Sequence, residues 1–148
     1  MVIRAAAFTV TAAIALLLVS CDRMSGVRTD AEFATIDANC VDSAIQKTPG
    51  IGTVSHSMTR TENFQILPYR GKVVTLSHQW RYGADGTESL QLFYDGRGWK
   101  YFNGLIRMGP RWSSEKLAAY KPLMERVNAE VERRCGVPIA EVGHVVSD

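Results

Sequence analysis

His56 and His78 are the residues of this chain best placed to do chemistry. Val54, His56 and Met58 alternate with Thr53, Ser55, Ser57 and Thr59. Val74, Leu76, His78, Trp80 and Tyr82 alternate with Thr75, Ser77, Gln79 and Arg81. A period of two is that of half-buried strands, so both imidazoles sit at inward positions of strands that could be neighbours. Two such histidines could pass a proton or hold a metal. As a zinc set they are incomplete, because no carboxylate or cysteine stands at matching spacing. The plainer reading is a pair of half-buried histidines donating to backbone or serine, with no metal and no cofactor. His144 falls in a stretch with little pattern.

Ser55, Ser57 and Ser77 neighbour the histidines in sequence, but adjacent strand residues point to opposite faces. They cannot form a nucleophile–base pair. The chain has no Gly-x-Ser-x-Gly elbow, no His-Glu-x-x-His and no phosphate-binding glycine loop. No residue is therefore assigned a catalytic role, and an enzyme ranks third among the readings.

Aromatic side chains crowd the middle of the chain at Trp80, Tyr82, Tyr94, Trp99, Tyr101 and Phe102. Some must be core. With His78, the set Trp80, Tyr82, Tyr94, Trp99 and Tyr101 is also the candidate surface for a ligand or partner. Arg97, Lys100, Arg107 and Arg111 surround the last hairpin, either as solubilising charge or facing an anionic partner.

The elements that must position these residues follow from pattern. Thr29-Asp30-Ala31-Glu32 matches a capping box, and Phe33, Ile36, Cys40, Val41, Ala44 and Ile45 follow at helical spacing up to Pro49-Gly50. A strand from Ile51 has its return arm expected at Phe64, Ile66 and Leu67. Pro68 and Gly71 end that arm. Three further strands carry Val74–Tyr82, Leu90–Tyr94 and Trp99–Asn103. Gly83-Ala84-Asp85-Gly86 and Asp95-Gly96-Arg97-Gly98 are short turns between them, which makes an antiparallel meander. Ser113 or Ser114 can cap a last helix bearing Leu117, Tyr120, Met124, Val127, Val131 and Cys135. Pro122 should kink it or start a second helix, and Gly136 with Pro138 ends it.

Ahead of all this, Arg4 is the only charge in the first twenty-one residues, and an apolar run covers Ala5–Val19. A charged tip, a short apolar core and small residues form a secretory signal peptide. The fifteen residues fall short of the roughly 20 that span a bilayer. Leu18-Val19-Ser20-Cys21 resembles the lipobox of bacterial lipoproteins, over residues 1–21 alone. The resemblance implies cleavage before Cys21, a diacylglyceryl thioether on it and acylation of the new amino terminus. Two or more acyl chains anchor stably where one does not. Asp22 resembles the signal that retains such proteins at the periplasmic face of the inner membrane. The inner leaflet of the outer membrane is the alternative.

With Cys21 spent on lipid, Cys40 and Cys135 are an even pair in an oxidising compartment. A bridge between them is expected, two buried thiols being the alternative. Loss of residues 1–20 leaves 128 residues, enough for one domain. Only one of the seventeen basic residues is lost, against fifteen acidic ones, so charge implies no nucleic-acid partner.

The expected organisation is a removed signal peptide over 1–20, a tether over 21–28, a single α+β domain over 29–138 and a weakly structured tail over 139–148. The domain is an antiparallel sheet of about four strands with an N-terminal and a C-terminal helix on one face, in α-β(4)-α order. That order resembles small cystatin-like or NTF2-like domains, a likeness of element order that transfers no function. The leading functional expectation is a non-enzymatic envelope lipoprotein, bound to the bilayer through Cys21, whose domain binds another envelope component. The alternative is a small-ligand carrier or sensor with a pocket between sheet and helices.

Overall fold

The structure is a computed structural model that describes residues 24–65, 71–139 and 143–147. Cys21 and Asp22 lie outside the described residues, as do Ile66–Arg70. The protein is α+β. Its strands are β1 (Met24–Phe33), β2 (Ser55–Gln65), β3 (Gly71–Tyr82), β4 (Glu88–Tyr94), β5 (Trp99–Met108) and β6 (Gly143–Ser147). Its helices are α1 (Ala38–Gln46), α2 (Ser114–Ala118) and α3 (Lys121–Cys135). The strands form one antiparallel sheet in the order β2-β3-β4-β5-β1-β6.

The meander β3–β4–β5 lies where the alternation of residues requires. Both ends of the chain depart from expectation. Residues 24–33, expected as tether and helix start, are a strand paired with β5, Val27 opposite Leu105 and Phe33 opposite Trp99. Ser25, Val27 and Thr29 are buried at alternate positions, so a period of two governs this stretch. Gly26 is required there, because a Cβ would lie 2.3 Å from the Leu105 carbonyl oxygen. The capping box does not form. Helix α1 begins later, with Asp37 as N-cap accepting a 2.9 Å hydrogen bond from the Asn39 amide.

Within residues 139–148, expected as tail, 143–147 form β6, paired with the outer edge of β1. Phe64, expected on a return arm, continues the outgoing strand β2 opposite Lys72. Pro122 does start a second helix: α2 is capped by Ser113, whose hydroxyl accepts from the Lys116 amide, and Pro122 stands in the first turn of α3. Gly136 takes the left-handed conformation, φ 67°, that ends α3.

Helices α1 and α3 cover one face of the sheet. Val41, Ala44 and Ile45 from α1 and Met124, Val127 and Val131 from α3 are buried with Trp80, Leu90, Leu92 and Tyr101 beneath them. Each large apolar side chain so buried contributes about 1.5–3 kcal/mol. A disulfide joins Cys40 of α1 to Cys135 at the end of α3, with Cα atoms 5.8 Å apart.

A polar network runs through this core. Asn128 on α3 accepts from the Tyr101 hydroxyl at 2.7 Å and from Asn103 Nδ2 at 2.9 Å, and donates to Thr29 Oγ1 at 3.0 Å. Asn103 also donates to the Met124 carbonyl and accepts from the Tyr82 hydroxyl. Burial drives both tyrosine hydroxyls far above their ordinary titration range, so each remains a donor. The network sets the height of α3 over β1 and β5, because every member must be satisfied at once.

Candidate functional site

The helices do not cover the whole inner face. Along the register, Trp80, Leu90, Asn103 and Thr29 form a fully buried row. Two residues further along β3 come His78, Leu92, Tyr101 and Ala31, and then Leu76, Tyr94, Trp99 and Phe33. This last row is half-buried throughout. On the neighbouring β2, His56 and Met58 face the same side and are exposed, Met58 at 60%. The result is an aromatic ledge that begins where helical cover stops.

The rings of the ledge touch. Tyr94 and Trp99 have centroids 5.2 Å apart, and Trp99 lies 6.2 Å from His78. Phe33 meets Tyr101 edge-on at 6.0 Å. His56 lies flat against Trp80, centroids 4.6 Å apart and planes within 7°. His56 Nε2 is 3.1 Å from His78 Nδ1, while their centroids are 5.4 Å apart in nearly parallel planes. Two rings with that combination meet edge to edge, sharing one proton between facing nitrogens. His78 is 8% exposed, and its pKa lies below the ordinary 6.5, first through burial and then through the charge of His56. The expected backbone or serine partners are thus replaced by the second imidazole.

Beside Trp99 and Phe33 opens a recess of about 410 Å³, lined also by Glu32, Asp95, Arg97 and Lys100. Lys100 pairs with Glu32. Asp95 accepts from the amides of Arg97 at 2.9 Å and Gly98 at 3.2 Å, closing the turn and holding its carboxyl below the usual range.

The expected surface residues divide. Trp80, Tyr82 and Tyr101 are core, Tyr94 and Trp99 belong to the ledge, and His78 is buried at the border between them. Phe102 lies on the opposite sheet face, with the Arg28 guanidinium 5.6 Å from its centroid. The four cations do not form one patch, because Lys100 and Arg107 stand near opposite ends of β5. Arg97 and Lys100 flank the recess, while Arg107 lies 5.0 Å from the centroid of Trp112. Trp112 also carries Lys116 Nζ at 3.8 Å and Tyr120 at 5.7 Å. Nothing local in the sequence marks Phe33 as a site residue, because it continues the helical spacing to Ile36 and Cys40. Met58 was visible there as the residue two along from His56 on the same face.

Among the described residues no three His, Cys, Asp or Glu side chains converge as a metal set, and no helix is long and apolar enough to cross a membrane. Fold and site together define an antiparallel α+β domain with an open aromatic ledge. A scan of protein-family models and searches of curated proteins and solved structures found no match to the chain.

Proposed function

We propose that this chain is a bacterial envelope lipoprotein, tethered through acylated Cys21, whose folded body is a non-enzymatic binding module. The observation that carries the binding role is the ledge. Tyr94, Trp99 and Phe33 are aromatics left only partly buried beside a fully covered core, at the place where a partner would complete their burial. The lipobox likeness of Leu18–Cys21 supports the tether, and Asp22 supports retention at the periplasmic face of the inner membrane.

The test joins the two halves. Palmitate labelling and membrane fractionation of the full chain and of Cys21→Ser read the anchor. A photo-crosslinking residue at position 94 or 99, in cells, reads the ledge. The expected result is a labelled, inner-membrane protein that crosslinks one discrete envelope component, with labelling lost in Cys21→Ser. Equal membrane partition of the Ser variant would refute the tether, and absence of any crosslink from the ledge would refute the binding surface.

The recess of about 410 Å³ beside Trp99 favours a second reading, a small-ligand carrier or sensor. A small molecule co-purifying with the wild type and lost on Trp99→Ala would decide for it.

A further inference from the structure

We propose that His56, Met58 and His78 form a site for one soft monovalent metal ion, Cu(I), with Ag(I) as its air-stable probe. The inference does not depend on where the chain is anchored or on what the ledge binds.

The first support is the spacing of the two nitrogens. His56 Nε2 and His78 Nδ1 face each other at 3.1 Å in nearly coplanar rings. An ion with bonds of about 2.0–2.1 Å to both would subtend roughly 100° at that spacing. An ion at that angle lies about 40° off the line joining the two nitrogens, so the exposed His56 ring turns and steps back from His78 to aim both lone pairs at a common point.

The third donor comes from the register. Met58 stands directly opposite His78 in the β2–β3 ladder and two residues from His56 on the same face. Directly opposed residues have Cβ atoms about 4.5–5.5 Å apart, within reach of a thioether on a three-bond stem. Met58 is 60% exposed, so little of its side chain is engaged in packing.

The donor chemistry selects the ion. Two neutral imidazoles and a thioether form a soft, uncharged set, which suits Cu(I) and Ag(I). Zinc sites draw on thiolate, imidazole and carboxylate. Here Cys40 and Cys135 are bonded to each other, and Asp42 accepts the Trp80 indole N–H. Trp80 adds a wall: its ring lies flat beneath His56, so an ion in the imidazole plane rests over an indole face that attracts cations. No net proton is released on binding. The neutral pair holds one N–H between its facing nitrogens, and the donating ring moves that proton to its other nitrogen to free the second lone pair.

The test uses the full chain with Cys21→Ser in every arm, which removes the free thiol. Ag(I) is titrated calorimetrically, and Cu(I) by competition with a chromogenic chelator under anaerobic ascorbate, which spares the disulfide. The expected result is one ion per chain with a Kd below about 1 μM. His56→Gln and Met58→Leu should each weaken binding at least about tenfold, Met58→Leu with the thermal midpoint unchanged because that side chain is 60% exposed. Wild-type Ag(I) binding that is absent, not one-to-one or weaker than Zn(II) binding would overturn the site. So would equal affinity in either variant.

Discussion

The indole N–H of Trp80 donates a 2.8 Å hydrogen bond to Asp42 Oδ1, joining β3 to α1 across thirty-eight residues. Trp80 is fully buried, so this bond settles the indole's only donor and fixes the plane against which His56 lies. Asp42→Ala leaves that donor unpaired and should lower stability by about 1–3 kcal/mol. Asp42→Asn keeps an acceptor and should lose less. Urea unfolding of the two variants gives the order, and equal midpoints would show that the bond contributes nothing.

Asn128 is the member of the core network with most at stake. It serves Tyr101, Asn103 and Thr29 together, and Asn128→Ala takes from the buried Tyr101 hydroxyl the acceptor it donates to. We expect a loss of about 3 kcal/mol, seen as a lower urea midpoint. A loss under about 1 kcal/mol would mean that water or a neighbour replaces the amide.

The Cys40–Cys135 bridge closes a loop of ninety-five residues. Replacing both cysteines by serine should lower stability by about 2–5 kcal/mol. Protein matured under oxidising conditions should show no thiol at either position to a maleimide. Ready labelling of both would remove the staple between α1 and α3.

His78 makes stability depend on pH in a defined direction. Its folded pKa lies below 6.5 through burial and then His56, so the native state holds fewer protons than the unfolded chain in that window. Stability should be full above pH 6.5 and fall as pH drops through the folded value. His78→Gln should flatten that component of the unfolding profile. An unchanged slope would show that His78 is not the group responsible.

Glu88 acts in the opposite sense. It is 5% exposed, and its Oε2 has no hydrogen-bond partner among the described residues. Burial lifts its pKa above 4.5, its own backbone amide opposes the shift, and Asp85 adds a smaller rise. The native state then holds more protons than the unfolded chain, and stability is lost as pH rises through the folded value. Glu88→Gln should raise the thermal midpoint at pH 8 and match the wild type below pH 4. A lower midpoint at pH 8 would show that the carboxylate is satisfied.

Sequence by itself determined the parts whose pattern is local. Val74–Tyr82, Leu90–Tyr94 and Trp99–Asn103 alternate strictly between short glycine turns, so the meander and its inner face could be read directly. The stripe Cys40–Val41–Ala44–Ile45 carries the first helix, and the spacing Met124–Val127–Val131–Cys135 carries the last. Tertiary structure decided the rest. Residues 24–33 satisfy a helix cap in isolation, but β5 offers ladder partners and Asn128 takes the Thr29 hydroxyl, so the segment is a strand. Residues 143–147 have a partner only once β1 presents its outer edge. Which aromatics are core and which form the ledge depended on where α1 and α3 stop, and no period in the strands encodes that. The meeting of His56 with His78 required a register set by pairing along the whole of β2 and β3, because a slip of one residue would turn His56 to the other face.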